Sequence, residues 1–145
     1  MDNLKWQLTN LEDSKKLKAL GFKKKSPFGW YEIYEVDIKK KKMVDTGKKE
    51  IIFRDDDVAA YKEIARAYTA SELGKELPYQ IGKSRYDCHT LRMQNEQGIY
   101  LLSYEKEVYD KKKGKGTEYL HSECEDSEVN SRAKMLIYLL KNNLI

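Results

Sequence analysis

Residues 129–145, at the end of the chain, carry its strongest pattern, and that pattern limits what the chain can fold into. Apolar residues recur there at spacings of three and four, which places them on one face of a helix. These residues are Val129, Ala133, Leu136, Ile137 and Leu140. Asn143 stands where a left-handed residue ends a helix, and Leu144 can fold back on the last turn. Because a helix this apolar needs a sheet or other helices to cover it, we expect a compact domain.

Five segments are predicted to be β-strands, and the first of them is rich in aromatic and β-branched residues. They are residues 30–36, 50–54, 86–93, 99–106 and 117–124. The first two are joined by a lysine-rich segment that is either a hairpin connection or the tip of a long two-stranded ribbon. The last three are joined by a turn at residues 95–98 and a loop at residues 110–116. Strands joined by such short connections pair antiparallel.

Two capping boxes, each a hydroxyl residue followed three positions later by glutamate, open further helices. The boxes are Thr9 with Glu12 and Thr69 with Glu72. Aspartates at residues 55–57 are predicted to cap a short helix over residues 58–67, since carboxylates favour a helix N-terminus. We therefore expect an α+β fold in a single domain over residues 1–145. Its antiparallel sheet of about five strands would be covered by an N-terminal, a central and a C-terminal helix.

Lysine supplies most of the positive charge in a chain whose net charge is +4. Arginine occurs at only five positions, and it is arginine that offers the bidentate fork used in base recognition. The bias argues against a sequence-specific DNA reader. Eleven tyrosines against three phenylalanines favour a sheet with one solvated face, because tyrosine packs like an apolar residue but keeps a polar hydroxyl.

The segments that address a chain to a membrane or for export are not evident in the sequence. No apolar run approaches the ~20 residues of a membrane span, and the first six residues lack the apolar core of a signal peptide. Two cysteines without an export signal indicate a reducing compartment and free thiols. We expect a cytoplasmic protein, in the host cell if it is phage-encoded, with no membrane partner.

Three stretches together resemble a group of small phage and prophage proteins, chiefly of Bacteroidota. They are residues 17–22 followed by Trp30-Tyr31, the segment AYTASELGKELP at residues 67–78, and the segment AKMLIYLLKNNLI at residues 133–145. The resemblance covers about half of the chain and implies a viral or mobile-element origin. It implies no activity, because the shared residues are caps and core positions. The chain departs from the group's pattern at Arg66, which stands where proline is usual.

The soft metal ligands of the chain are two cysteines and two histidines, at Cys88-His89 and at His121 and Cys124. Adjacent residues of a strand point to opposite faces, so Cys88 and His89 cannot converge on one ion without a bulge. A Cys–His nucleophile pair would also need an orienting third group. We therefore expect no metal site, no cofactor and no catalytic residues, and we interpret the chain as a binding protein rather than an enzyme.

A glycine-containing loop rich in lysine is the best candidate for a phosphate-binding segment. It provides Lys111, Lys112, Lys113 and Lys115, although it lacks the order of a Walker A motif. Tyr104 and Tyr119 on the flanking strands could stack on a base beside it. The alternative interpretation is a solvated hairpin tip, and the same alternative applies to the lysines at residues 39–42.

These observations lead to one functional hypothesis and two alternatives. The leading hypothesis is a small non-catalytic binding protein of phage or mobile-element origin. It would serve as a counter-defence or host-takeover factor that sequesters a nucleotide-type ligand or blocks a host protein. The alternatives are a nucleic-acid-binding accessory protein, whose affinity would fall steeply with salt, and a structural or oligomerisation module.

Overall fold

The computed structural model describes residues 6–53 and 61–145 of the chain. It contains two compact units, Met1–Thr69 and Ala70–Ile145. Each unit contains its own antiparallel sheet and at least one helix.

The first unit combines one helix with a three-stranded sheet. Its elements are α1 (Leu11–Ala19), β1 (Phe28–Asp37), β2 (Lys42–Phe53) and β3 (Tyr61–Ala67). The strands are ordered β2-β1-β3, and both pairings are antiparallel. The side chain of Asn10 caps α1 by accepting a hydrogen bond from the backbone N–H of Asp13 at 2.8 Å. Gly21 follows the C-cap residue Leu20 and turns the chain out of the helix with a φ of 82°, which glycine adopts without strain.

Thr9 ties the start of this unit to the end of its third strand. Its hydroxyl accepts a hydrogen bond from the backbone N–H of Tyr68, and its own N–H donates to the Tyr68 carbonyl, both at 2.9 Å. The indole N–H of Trp30 donates to the Thr9 carbonyl at 2.9 Å. Thr9 is therefore a buried connector, and the capping role predicted for it belongs to the next residue, Asn10.

The second unit contains a four-stranded antiparallel sheet and two helices. Its elements are α2 (Ala70–Gly74), β4 (Gln80–Ser84), β5 (Asp87–Glu96), β6 (Ile99–Asp110), β7 (Gly114–Glu125) and α3 (Glu128–Lys141). The strands follow one another in chain order, β4-β5-β6-β7, as expected when short turns join neighbours. The core contains Leu102, Tyr104, Val129, Ala133, Met135 and Leu136, all at most 3% exposed.

Arg132 on α3 joins the two helices of this unit. One guanidinium nitrogen donates to the Ala70 carbonyl at 2.8 Å, and the other donates to Glu128 at 2.5 Å. A Cβ at Gly74 would lie 1.8 Å from the Arg132 guanidinium, so a larger residue there would require the Arg132 side chain to shift.

The predicted α+β class and antiparallel pairing are confirmed, but the single sheet of about five strands is wrong. Seven strands in two sheets, of three and four strands, and three helices are present in the described residues. The helix predicted over residues 58–67 is also wrong, since Tyr61–Ala67 is the strand β3. The alternate burial of Ala65 and Ala67 on a strand paired with β1 explains the difference. Residues 55–57, predicted to cap that helix, lie outside the described residues.

The predicted C-terminal helix is confirmed, together with its end. Asn143 has a φ of 52°, and the N–H of Leu144 donates to the Leu139 carbonyl at 3.0 Å, which closes the helix. Across residues 6–53 and 61–145, no helix has the length and apolar character needed to cross a membrane.

Candidate functional site

The sheet of the second unit has two chemically different faces. Helix α3 packs on one of them, where the ring of Tyr138 stacks on His121 with 3.7 Å between ring centroids. Tyr104 pairs directly with His121 and therefore points to the same covered face. Side chains alternate along a strand, so Glu105 points to the opposite face, with its partners Thr90 on β5 and Tyr119 on β7. We call this opposite side the polar face.

A cleft with a volume of about 340 Å³ lies on the polar face. Each of the four strands contributes to its lining, through Gln80, Thr90, Glu105 and Thr117 among others. The turn between β4 and β5 contributes Arg85 and Tyr86. The register explains this convergence, because Gln80 pairs with Thr90 and Thr90 pairs with Glu105.

The cleft contains groups of both charges, and several are held in place by neighbours. The Nε of Arg92 lies 3.6 Å from Oε1 of Glu105, whose other oxygen accepts a hydrogen bond from the Ser103 hydroxyl at 3.2 Å. The guanidinium carbon of Arg85 lies 5.3 Å from the centre of the Tyr86 ring, within cation–π range. Tyr86 is 84% exposed, so its ring is available to a ligand. The site therefore offers guanidinium groups, an aromatic ring and carboxylates within one small volume.

An ion pair connects the strand that follows the turn with β6. Lys106 donates to Asp87 at 2.5 Å. The Lys106 hydrogen bond holds the pKa of the Asp87 carboxyl below its usual value, and the same bond raises the pKa of Lys106. Both groups are therefore charged at neutral pH, and the pair helps to position the strand that provides Cys88 and Thr90 to the cleft.

The lysines predicted to bind phosphate occupy the turn between β6 and β7 and the first residues of β7. Lys111, Lys112 and Lys113 form the turn and are exposed, and Asp110 orders it by accepting hydrogen bonds from the N–H groups of Lys112 and Lys113 at 2.7 and 3.0 Å. Lys115 follows on β7, two residues before Thr117 of the cleft. Lys115 therefore points to the polar face, whereas the other three lie at the hairpin tip, away from the cleft lining.

The two tyrosines predicted to flank this loop lie in different environments, one exposed and one buried. Tyr119 is 60% exposed and lies on the polar face, two residues after Thr117. Tyr104 is fully buried on the covered face, and its hydroxyl donates to the Pro78 carbonyl at 2.5 Å. Burial also raises the pKa of this phenol. Tyr104 is thus a core residue, and its assignment to a ligand-stacking surface has to be corrected.

The cysteines and histidines are dispersed over the second sheet. Cys88 lines the cleft, and Cys124 pairs with Leu101 toward the other end of β6; both thiols are free. His89 contacts Glu118 at 3.1 Å, and His121 contacts Glu123 at 2.6 Å. In the part of the chain that the structure describes, no three residues of the types that bind metals are grouped as an ion would need.

Sequence reasoning missed most of the cleft. No sequence motif contains the cleft residues Arg85, Tyr86, Arg92 and Glu105. They come from a turn and two strands that are brought together only by strand pairing. One usable signal was present. Two of the five arginines of this lysine-rich chain lie at residues 85 and 92, the first of them next to the tyrosine that begins the strand predicted over residues 86–93.

Comparison of the chain with protein-family models, with curated proteins and with solved structures finds no match.

Proposed function

We propose that this protein is a small non-catalytic binding protein whose cleft on the polar face takes a nucleotide-type ligand. The observation that carries the proposal is the grouping of Arg85, Tyr86 and Arg92 around one cavity of about 340 Å³. Small-molecule sites begin at roughly this size, ~300 Å³.

Each part of a nucleotide has a suitable partner in the cleft. The exposed ring of Tyr86 offers a face for stacking on a base. Arg85 and Arg92 offer forked donors to phosphate oxygens. Glu105, Glu107 and Gln80 supply acceptors for base or ribose hydrogen-bond donors. These are binding roles, and none of them requires a nucleophile or a general base.

Two of the residues predicted from the sequence extend this surface. Lys115 and Tyr119 lie on either side of Thr117 along the same face of β7. In our proposal Lys115 attracts the phosphate end of the ligand, and Tyr119 borders the base. Lys111, Lys112 and Lys113 add positive potential at the nearby hairpin tip.

We place this binding activity in a phage or mobile element, where it would act in counter-defence or host takeover. The sequence resemblance supports the origin, and the cleft supports sequestration of a nucleotide signal. A protein that works by sequestration needs a site of this kind and no catalytic residues.

The test starts with ligand carried through purification. The protein is heat-denatured, and the supernatant is examined for nucleotides by mass spectrometry. Calorimetry with cyclic and ADP-ribose-type nucleotides follows. We expect a nucleotide in at least one of the two experiments, and a clean blank together with no calorimetric signal would refute the proposal.

Matched variants then locate the site. We expect Tyr86→Ala to weaken binding roughly tenfold, because stacking on one base is worth about 1–3 kcal/mol. Tyr79→Ala is the control, since Tyr79 is also exposed, at 69%, but does not line the cleft. Equal affinities of the two variants would show that the ligand binds elsewhere.

The exposed lysines at the β6–β7 turn favour one second candidate, a nucleic-acid-binding accessory protein. It predicts a mobility shift that weakens steeply with salt, because counterion release drives such binding. Charge reversal at Lys111, Lys112, Lys113 and Lys115 would abolish that shift. Insensitivity of the shift to these four changes would exclude the turn as the nucleic-acid site.

A further inference from the structure

The hairpin between β1 and β2 continues past the last described pair of β1 with β3. Among the described residues, the last pair of β1 with β3 is Ile33 with Tyr61, whereas β1 continues to pair with β2 as far as Asp37 with Lys42. Beyond Ile33, the described pairing of β1 is therefore with β2. At about 3.4 Å per residue, the four residues from there to Asp37 span roughly 14 Å. We call residues 35–44 the β1–β2 tip.

The β1–β2 tip carries large apolar side chains that are exposed. Val36 is 64% exposed, Ile38 is 85% exposed and Met43 is 46% exposed. Val36 and Met43 form a directly opposed pair, so their side chains share one face. Ile38 follows Val36 by two residues, at the start of the turn. Three large, exposed apolar side chains thus lie near the turn of the hairpin.

Lysines surround these apolar side chains. Residues 39–42 are all lysine, and they form the turn and the first residue of β2. Asp37 shapes the turn by accepting hydrogen bonds from the N–H groups of Lys39 and Lys40 at 3.0 and 3.1 Å. Its carboxylate is 4.0 Å from the Lys40 ammonium, so it offsets one of the four charges. With Glu35 as the other acid, the β1–β2 tip stays net positive.

We propose that the β1–β2 tip docks on the surface of an anionic lipid bilayer. Val36, Ile38 and Met43 would enter the boundary between headgroups and acyl chains, and the lysines would remain at the phosphates. Apolar burial and attraction to anionic lipid act together in surface-bound segments of this kind. Each lysine near such a surface strengthens binding, because the surface potential concentrates cations there.

The composition and exposure of the β1–β2 tip favour a bilayer over other occupants. Its apolar side chains are exposed, and none of them lines the cleft described above, so they do not form part of that small-molecule site. Nucleic-acid surfaces are bound through arginine, aromatic stacking and lysine, whereas the tip has neither arginine nor aromatic residues and presents aliphatic side chains instead. This proposal departs from the sequence-based expectation of no membrane partner. That expectation rested on the lack of an apolar run and of a signal peptide, and surface docking needs neither.

The test is sedimentation of the full chain with vesicles in low-salt buffer. One vesicle type is pure phosphatidylcholine, and the other contains about a third phosphatidylglycerol. We expect binding to the anionic vesicles that falls as salt is raised, and weak binding to the neutral ones. Absence of binding to the anionic vesicles, or equal binding to both types, would overturn the proposal.

Two variants and one matched control assign the binding to the tip. Val36→Thr with Ile38→Ser removes the apolar part, and Lys39→Gln with Lys40→Gln removes two charges; we expect each double variant to lower vesicle binding roughly tenfold. Lys111→Gln with Lys112→Gln makes the same charge change at the other lysine-rich turn and should have a much smaller effect. All six positions are exposed, and a thermal melt monitored by circular dichroism confirms that each variant folds.

The variants also separate the proposal from its competitors. A loss with the lysine variant and none with the apolar variant would mean electrostatic adsorption, as to any polyanion, and would overturn insertion. Equal losses in the tip and control lysine variants would assign the effect to net charge and would also overturn it. If the apolar variant instead abolishes a concentration-dependent dimer in light scattering and leaves vesicle binding intact, the tip is a contact between copies and the proposal fails.

Discussion

In the second unit, the burial, the hydrogen bond and the ionisation of Tyr104 are linked. Its ring lies in the core, and its hydroxyl reaches the Pro78 carbonyl at the end of the segment that leads from α2 to β4. A buried hydroxyl that found no acceptor would cost about 1–3 kcal/mol. The bond to Pro78 avoids that cost and fixes where this connecting segment lies on the sheet.

We expect Tyr104→Phe to lower the free energy of unfolding by about 1–2 kcal/mol at pH 7, because the Pro78 carbonyl loses its donor. Burial raises the pKa of Tyr104 above its usual value of 10.0. The unfolded chain therefore ionises this phenol near pH 10 while the folded protein keeps it neutral. The stability that the neutral phenol of Tyr104 contributes is complete below pH 10 and is lost as the pH rises above it. The difference in unfolding free energy between wild type and variant should therefore narrow above pH 10.

Urea unfolding followed by far-ultraviolet circular dichroism at pH 7, 9 and 11 checks this expectation. Tyr119→Phe is the control, because the hydroxyl of an exposed side chain costs little to remove. A difference in unfolding free energy between wild type and Tyr104→Phe that stays constant from pH 7 to 11 would contradict the link between folding and the ionisation of Tyr104. A destabilisation no larger than that of Tyr119→Phe would contradict the role of the hydrogen bond.

At the scale of elements, α3 is the helix on which the second unit is built. It covers one face of the sheet, and it is tied to β6 by the Ser131 hydroxyl, which donates to the Tyr100 carbonyl at 3.1 Å. Its N-terminus is closed by Ser127, whose hydroxyl accepts a hydrogen bond from the N–H of Asn130 at 3.2 Å. Local caps and tertiary packing therefore favour the same helix, which is the consistency expected of a well-specified element.

Ser127→Ala should lower the free energy of unfolding by about 1 kcal/mol, because the cap leaves a backbone N–H without its acceptor. Ser127→Asp should retain most of the stability that the alanine variant loses, because aspartate also caps helices and its negative charge suits a helix N-terminus. Thermal melts of the three proteins provide the measurement. An alanine variant as stable as wild type, or an aspartate variant no better than alanine, would show that the cap contributes nothing to stability.

At the scale of the whole molecule, charge sets how the protein behaves in solution. The net charge is +4 at pH 7 and the calculated isoelectric point is about 8.8. Like-charged molecules repel one another, and that repulsion disappears near the isoelectric point.

We expect the solubility minimum near pH 8.8, shifted to lower pH in Lys111→Gln with Lys112→Gln. Precipitation in ammonium sulfate across pH 6–10 measures it, and a minimum near pH 6 would show that surface patches rather than net charge control association.

The parts of the molecule that could be predicted from sequence are those specified by neighbouring residues. The helix α3, its stop at Asn143 and the strands on either side of Gly98 follow from periodicity, caps and turns within a few positions. The α+β class and antiparallel pairing follow from those elements and their short connections. The cap of α1 was misplaced by one residue because Thr9 and Asn10 both suit the position, and the packing against Tyr68 decides between them.

What only the tertiary structure decided depends on partners far away in the chain. Sequence composition cannot show that residues 61–67 find a partner in β1, so a strand was predicted as a helix and two sheets as one. The register of four strands brings Arg85, Arg92 and Glu105 to one cleft, and a one-residue difference in register would turn those side chains to the other face. A register shift next to Tyr104 marks where the pairing of β6 with β7 becomes irregular. The sequence by itself determined α1, α3 and the β5–β6 and β6–β7 hairpins, because their specifying interactions are local. The cleft and the burial of Tyr104 could be seen only in the tertiary structure, because strand pairing determines which side of a sheet each residue occupies.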